Sequence, residues 1–323
     1  MDKRHGILAI GNLLIDRTLV ISDYPQETML ATISEIEQHC GGGCTNILFN
    51  LATLDPDLPL FLSGAVGEDQ EGQFILNQAK AHNINVEAVC KVAQPTSFTD
   101  VMINSQTGDR TFFHYVGAMG LYGKEQLLQS RQSAKIAHIA YLPLLPALLN
   151  DDLADTLQAL RQQGLLLSID LVSVRNKTVF SDYIRPILSG IDFVIINDIE
   201  AKILLEMENL PATKENLAYL AQKIFQLGVK RTVIIHSPEW AVACDHTDKP
   251  IAVASYWVNK QDIISTLGAG DAFCAGCLYG LHQDFPLEQT LKLGHCLAYF
   301  NLFSISATGS AVTYAEAMRF LAK

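Results

Sequence analysis

Beyond residue 120 the chain alternates helical-period segments with short apolar runs, a pattern satisfied by helices packed on a mostly parallel sheet. The clearest helix is predicted over 150–163, where Leu153, Leu157 and Leu160 share one face and Gly164 follows in the place of a left-handed cap. LLLSID (165–170) then reads as a buried strand. The cycle repeats with DFVIIN (192–197), a helix over 199–207, a second helix over 214–227 stopped by Gly228, and the strand TVIIH (232–236). The fold class this implies is α/β, with a central, mostly parallel sheet flanked by helices.

The first third interrupts that rhythm. TLVISDYP (18–25), MLATISEIEQHC (29–40) and SFTDVMINSQTGDRTFFHYV (97–116) read as antiparallel strands, the last a hairpin turning at Thr107-Gly108-Asp109. Strands inserted in this way predict a small sheet beside the main one, suited to a lid or a dimer contact. No internal repeat and no linker rich in Ser, Pro or charge divides the 323 residues. The expectation is therefore one domain over 1–323, with lid strands at about 17–40 and 96–117.

Composition narrows the function. A net charge of −11 argues against broad binding to nucleic-acid phosphates, which needs cationic faces. Seven cysteines are too few for a disulfide scaffold of this size, and the odd number leaves at least one unpaired, so a reducing, cytoplasmic setting is expected. The opening MDKRHGILAIGNLLIDR has the basic-then-apolar order of a secretory leader but ends in Asp16-Arg17 without a small-residue cleavage site, and reads as a buried first strand. The apolar stretch 136–149 contains His138, Pro143 and Pro146 and is too short to cross a bilayer, so no membrane partner is expected.

Three segments carry chemistry. In STLGAGDAFCAGCLYGL (265–281), Gly268, Ala269 and Gly270 make a small-residue turn directly before a helical stretch, so free N–H groups and the positive helix end converge where an anion could sit. Asp271 beside that turn is out of place next to phosphate unless it faces a hydroxyl that loses its proton during attack. The plainer reading is a turn that only caps a helix. In GGGCTNILFNLATL (41–54), three glycines let a ligand approach the backbone and Asn46 offers both a donor and an acceptor, although a flexible turn with a capping Asn fits the same letters. In GNLLID (11–16) an apolar strand is expected to end in Asp16, at the sheet edge where ligands of α/β proteins gather; a solvated strand-end Asp is the simpler alternative.

Together these segments resemble the ribokinase-like carbohydrate kinases, also called the phosphofructokinase-B family, over nearly the whole chain. The C-terminal signature D-T-x-G-A-G-D is met by Ser265-Thr266-Leu267-Gly268-Ala269-Gly270-Asp271, and G-G-x-x-x-N by the glycines at 41 and 42 with Asn46. GAVGEDQEG (64–72) matches a G-x-D-x-x-G stretch, GDRTFFHYVGA (108–118) the second lid hairpin, and NDIE (197–200) an N-x-x-E. The resemblance implies a ribokinase-like fold and transfer of phosphoryl from ATP to an alcohol. It assigns Asp271 as base and the amides of Gly268, Ala269 and Gly270 as anion hole. Asn12, Asp16, Gly42, Gly43 and Asn46 would hold the acceptor's hydroxyls. Thr266 and the glycine turn would meet the nucleotide, and Asn197 and Glu200 would organise Mg²⁺, through water. The plainer reading of NDIE is a helix N-terminus with favourable acids.

Two departures stand out. Ser265 occupies the place of the signature's first Asp, which in many relatives helps hold a monovalent cation, so potassium activation is not expected. After TVIIH the family continues into a glycine-containing turn near the nucleotide, whereas Ser237-Pro238-Glu239-Trp240 stands here. Other chemistries fail on spacing. Gly123-Lys124 lacks the glycine a P-loop needs at Ala118, and no G-x-G-x-x-G follows the first strand. Cys274 and Cys277 form a C-x-x-C inside a helix with no second pair and read as small packing residues; the nine histidines give no H-x-x-x-H, and no serine sits in G-x-S-x-G.

The expected reaction is Mg²⁺- and ATP-dependent phosphorylation of a sugar hydroxyl by in-line transfer, in a homodimer joined through the lid. Two alternatives are a nucleoside kinase, with Phe98, Phe112, Phe113 and Tyr115 forming a slot for the base, and a catalytically silent sugar-binding or regulatory relative. A phosphosugar acceptor would call on Arg17, Arg110 and Arg175.

Overall fold

A strand covered by helices on both faces has no use for polar residues. Every residue of β1 (Ile7–Gly11) and of β8 (Ile136–Ala140) is buried accordingly. In the computed structural model, described here for residues 4–130, 133–174, 176–247 and 249–322, these two strands pair in parallel at the middle of a nine-stranded sheet. On one side of β1 lie β4 (Leu60–Gly67) and β5 (Asn85–Val92). On the far side of β8 follow β9 (Leu166–Ile169), β10 (Phe193–Asn197), β11 (Thr232–His236), β12 (Trp240–Asp245) and β13 (Ile251–Ala254). The last two pairings are antiparallel and all the others parallel.

The predicted βα units lie where periodicity put them. Helices run over Leu153–Gln162, Asp198–Leu204 and Lys214–Gln226, each ending within three residues of its expected boundary. Gly164 and Gly228 follow in the left-handed region, with φ of 86° and 107°. No helix among the described residues is long and apolar enough to cross a membrane.

The inserted strands form a separate four-stranded sheet in the order β3-β2-β6-β7, made of β2 (Leu14–Ile21), β3 (Ile33–Gly41), β6 (Ser97–Asn104) and β7 (Arg110–Tyr115). Both hairpins are antiparallel as expected, but β2 and β6 pair in parallel. The chain leaves after β3, passes through β4 and β5 of the main sheet, and returns with β6 running the same way as β2, a crossover no hairpin could supply. Arg17 stands directly opposite Asp100 across this seam and makes a two-pronged ion pair at 2.6 and 2.9 Å. The guanidinium also lies 4.2 Å over the ring of Phe98.

One interhelical contact sets the spacing beneath the Gly-Ala-Gly turn. Helix Ala269–His282 packs on Leu287–Asn301, and a Cβ on Gly276 would lie 2.8 Å from the Gly294 Cα and the Leu293 carbonyl oxygen, both backbone atoms. Cys277 lies buried at this seam against Gly294, as the packing reading of the C-x-x-C expects. Gly276→Ala should force the helices apart and destabilise the chain by about 1–3 kcal/mol, read as a lowered urea midpoint with an unchanged m-value.

Candidate active site

The parallel strands end together. In register, Gly11 sits beside Ala140, Ile139 beside Ile169, and Asn197 beside His236, so the residues that follow these strands share one edge of the sheet. Ligands of open α/β sheets bind at this edge. Two helices begin over it, Gly43–Leu54 and Ala269–His282, each preceded by a glycine with positive φ: Gly42 at 92° and Gly268 at 75°. At Gly268 a side chain is excluded twice, by that conformation and because a Cβ would lie 2.4 Å from the Cβ of Ala307.

The first turns of the two helices meet through Asp271. Asn46 donates from Nδ2 to Asp271 Oδ2 at 2.8 Å, and the Tyr141 hydroxyl donates to Oδ1 at 2.7 Å. Burial raises the Asp271 carboxyl to about 7, although both hydrogen bonds pull the other way. Burial and the neighbouring Asp271 push the Tyr141 phenol well up, so it stays a donor. Two buried polar atoms nearby have no hydrogen-bond partner among the described residues, Asn12 Nδ2 and Asn46 Oδ1. Such orphans cost about 1–3 kcal/mol each, which a ligand rich in hydroxyls would relieve.

The glycine turn offers as many free amides as the sequence suggested, but one of them is a different one. Ala269 N–H donates to the Thr266 carbonyl at 3.3 Å and is not free for an anion. The Gly268, Gly270 and Asp271 amides have no partner among the described residues. Thr266 is exposed at the turn's entry. Ser265 is buried; its Oγ accepts from Leu267 N–H at 3.1 Å and from Arg110 Nη1, reaching over from β7, at 3.3 Å.

Asp16 requires a correction of place. β1 ends at Gly11, and Asp16 is the third residue of β2 in the small sheet, because the chain breaks at Asn12 and re-enters an extended run. Burial raises its carboxyl to about 6, moderated by His39 and a hydrogen bond from Thr99. Asp16 is near enough to Asp271 to add to the upward shift there.

A cavity of ≈ 250 Å³ opens beside Asp271, lined by Tyr141, Asp170, Asn197, Glu200 and Gly270 among others. Asn197 and Glu200 form a reciprocal cap: Asn197 N–H and Nδ2 donate to the two carboxylate oxygens at 3.0 and 2.7 Å, and Asn197 Oδ1 accepts from Glu200 N–H at 2.9 Å. The plain helix-start reading of NDIE is therefore realised. The Glu200 carboxyl is also buried enough to rise to about 8, which the Asn197 bonds only partly offset. A buried oxygen donor facing a cavity with further carboxylates fits a hard divalent cation such as Mg²⁺.

Tyr141, Asp170 and His138 escaped the sequence reading. Asp170 ends LLLSID at the same sheet edge, a signal of the kind credited to Asp16; Tyr141 holds a left-handed φ of 53°, for which the sequence carries no cue. Of the three arginines considered for a phosphorylated acceptor, Arg17 is committed to Asp100, Arg110 to Ser265, and Arg175 lies outside the described residues. Ser237-Pro238-Glu239 forms the tight turn joining β11 to β12, closed by Ser237 N–H to the Trp240 carbonyl at 2.8 Å and Trp240 N–H to Ser237 Oγ at 3.1 Å.

Comparison with known proteins bears on this site. A family model described as pfkB family carbohydrate kinase matches residues 4–313. An ATP-dependent 6-phosphofructokinase of Thermoanaerobacterium thermosaccharolyticum is 21% identical, with 95% of this chain and 90% of that protein covered. A 5-dehydro-2-deoxygluconokinase of Geobacillus kaustophilus is 25% identical, covering 99% of this chain and 94% of the relative. In three dimensions, the Arabidopsis thaliana ribokinase solved with ribose and ATP superposes with a TM-score of 0.82 at 20% identity, over 98% of each chain. The family match across almost the full length places the chain in the pfkB family of carbohydrate kinases.

Proposed function

We propose that this chain transfers the γ-phosphoryl group of ATP to a hydroxyl of a small, unphosphorylated sugar. The observation that carries the reading is the Asp271 carboxylate, buried between Asn46 and Tyr141 and joined to a turn with three unpaired amides. With its carboxyl raised to about 7, Asp271 is matched to accept a proton near neutrality. The acceptor's O–H proton passes to Asp271, its oxygen bonds to the γ-phosphorus, and the bond from that phosphorus to the β-bridging oxygen breaks, releasing ADP. The amides of Gly268, Gly270 and Asp271 stabilise the charge that gathers on the transferred group.

Asn12, Asp16, Gly42, Gly43 and Asn46 hold the acceptor's hydroxyls in this reading, supported by the orphaned Asn12 Nδ2 and Asn46 Oδ1. Asn197 and Glu200 would hold Mg²⁺ through water, and the ion would supply neutralisation of phosphate charge. Thr266 and the glycine turn meet the nucleotide's phosphates. Ser265, uncharged and already hydrogen-bonded, offers no carboxylate to a monovalent cation.

An unphosphorylated sugar is favoured because Arg17, the basic residue nearest Asp16 in sequence, has its charge satisfied by Asp100. The same guanidinium covers the Phe98 ring, and Tyr115 packs against it with centroids 5.3 Å apart, so these rings serve the small sheet rather than a base slot. All seven cysteines carry free thiols, in keeping with a reducing cytoplasm. One domain with the small sheet as its lid, paired with a second copy through the outer face of that sheet, accounts for the exposed Ile33 and Ile36 on β3 and Phe113 on β7, which register places on one face.

Four measurements test this. Asp271→Asn should lower kcat for a good acceptor by about a hundredfold to ten-thousandfold with little change in KM; activity within tenfold of the wild type would remove the base. In the native protein, kcat/KM should climb as pH rises through about 7, where Asp271 ionises. The folded-state carboxyl lies above its unfolded value, so its stabilising protonated form is lost over that same rise, and the fall in Tm with pH should be shallower in Asp271→Asn. Phe113→Glu should convert the dimer to a monomer in sedimentation velocity while leaving the fold intact.

A further inference from the structure

Behind Asp271, on the sheet side, sits a cluster that phosphoryl transfer does not use. His138 on β8 faces Ser168 on β9 in register, and Asp170, two residues beyond Ser168, points to the same face of the sheet. Cys274 comes down on that face from helix Ala269–His282, one turn after Asp271. His138 Nε2 is 3.3 Å from Asp170 Oδ2 and 3.6 Å from Cys274 Sγ, and the three candidate ligand atoms all lie within 4.8 Å of one another. All three residues are buried.

We propose that His138, Asp170 and Cys274 form a binding site for a borderline-soft divalent cation of the zinc class. Zinc bonds of ordinary length in a tetrahedral arrangement place N and O about 3.4 Å apart and N and S about 3.6 Å apart, and these are the two edges that His138 already makes. The other imidazole nitrogen is held by Ser168 Oγ at 2.9 Å, which fixes the ring and leaves Nε2 free to bind once Nδ1 carries the proton. Asp170 and Cys274 also line the ≈ 250 Å³ cavity, so the fourth position opens to water or an anionic ligand.

Charge balance favours the same occupant. Binding replaces the Cys274 S–H bond with a sulfur–metal bond and releases one proton to solvent. One thiolate and one carboxylate then neutralise the two positive charges of the ion, with the imidazole neutral, so the buried site carries no net charge. Mg²⁺ prefers an all-oxygen set and does not compete for a sulfur and nitrogen pair. The ligands are far apart in the chain, His138 and Cys274 being 136 positions from one another, so no short spacing pattern announces them.

The test needs no kinase activity and so stands or falls apart from the proposed function. Protein freed of metal by a chelator is titrated with Co²⁺ in the presence of excess Mg²⁺. One equivalent should produce the visible bands of tetrahedral cobalt together with a near-ultraviolet thiolate-to-cobalt band, both erased by Zn²⁺. Cys274→Ser and, independently, Cys274→Ala should lose the thiolate band while keeping the native near-ultraviolet circular dichroism. Cys90→Ser should keep it, and Ser168→Ala should weaken Zn²⁺ binding about tenfold to a hundredfold. Absence of the thiolate band in the wild type, or its survival in either folded Cys274 variant, overturns the proposal.

Discussion

The buried carboxylate at 271 joins elements that are distant in sequence. It sits in the first turn of Ala269–His282, accepts from Asn46 in the first turn of Gly43–Leu54, and accepts from Tyr141 just beyond β8. A carboxylate sequestered from water is unfavourable unless its lone pairs are used, so these contacts hold the two helix starts and the sheet edge at fixed separation. Burial opposes its ionised form while the hydrogen bonds from Tyr141 and Asn46 favour it, and the balance falls near neutrality. Position and proton affinity therefore have one origin.

The main sheet was legible because its signal is redundant. The helices over 150–163 and 214–227 each carry a period, a stop glycine and a following β-rich run that agree with one another, and tertiary packing had nothing to override. The small sheet was legible as strands but not as topology. Local patterning reports alternation and turns, whereas the parallel β2–β6 seam arises from a crossover through the main sheet that no local window contains. The displacement of Asp16 onto β2 has a similar cause, since GNLLID reads as one apolar run and nothing in its letters marks the break at Asn12.

The site divides along the same line. Gly268, Gly270, Asp271 and Asn46 lie in two short segments whose composition is unusual, and the letters alone single them out. Tyr141, Asp170 and His138 lie in ordinary apolar segments and gain their roles from strand register. The amide of Ala269 shows the limit of counting donors in a motif: the turn that frees its neighbours also bends Ala269 N–H back onto Thr266. Asp69 shows the converse. It is part of the family-like stretch 64–72, yet its carboxylate accepts from Gly72 N–H at 2.8 Å and Thr96 N–H at 2.7 Å, so it fastens a helix start to the strand entering β6.

The Arg17–Asp100 pair bears on how the small sheet behaves mechanically. It bolts the two hairpins together at mid-seam, so they tilt as one plate and not as two independent flaps. Arg110 rides on the outer strand of that plate and grips Ser265 at the mouth of the glycine loop. Any swing of the plate away from the larger sheet therefore loosens that grip, and the posture of the one sheet is felt at the loop of the other.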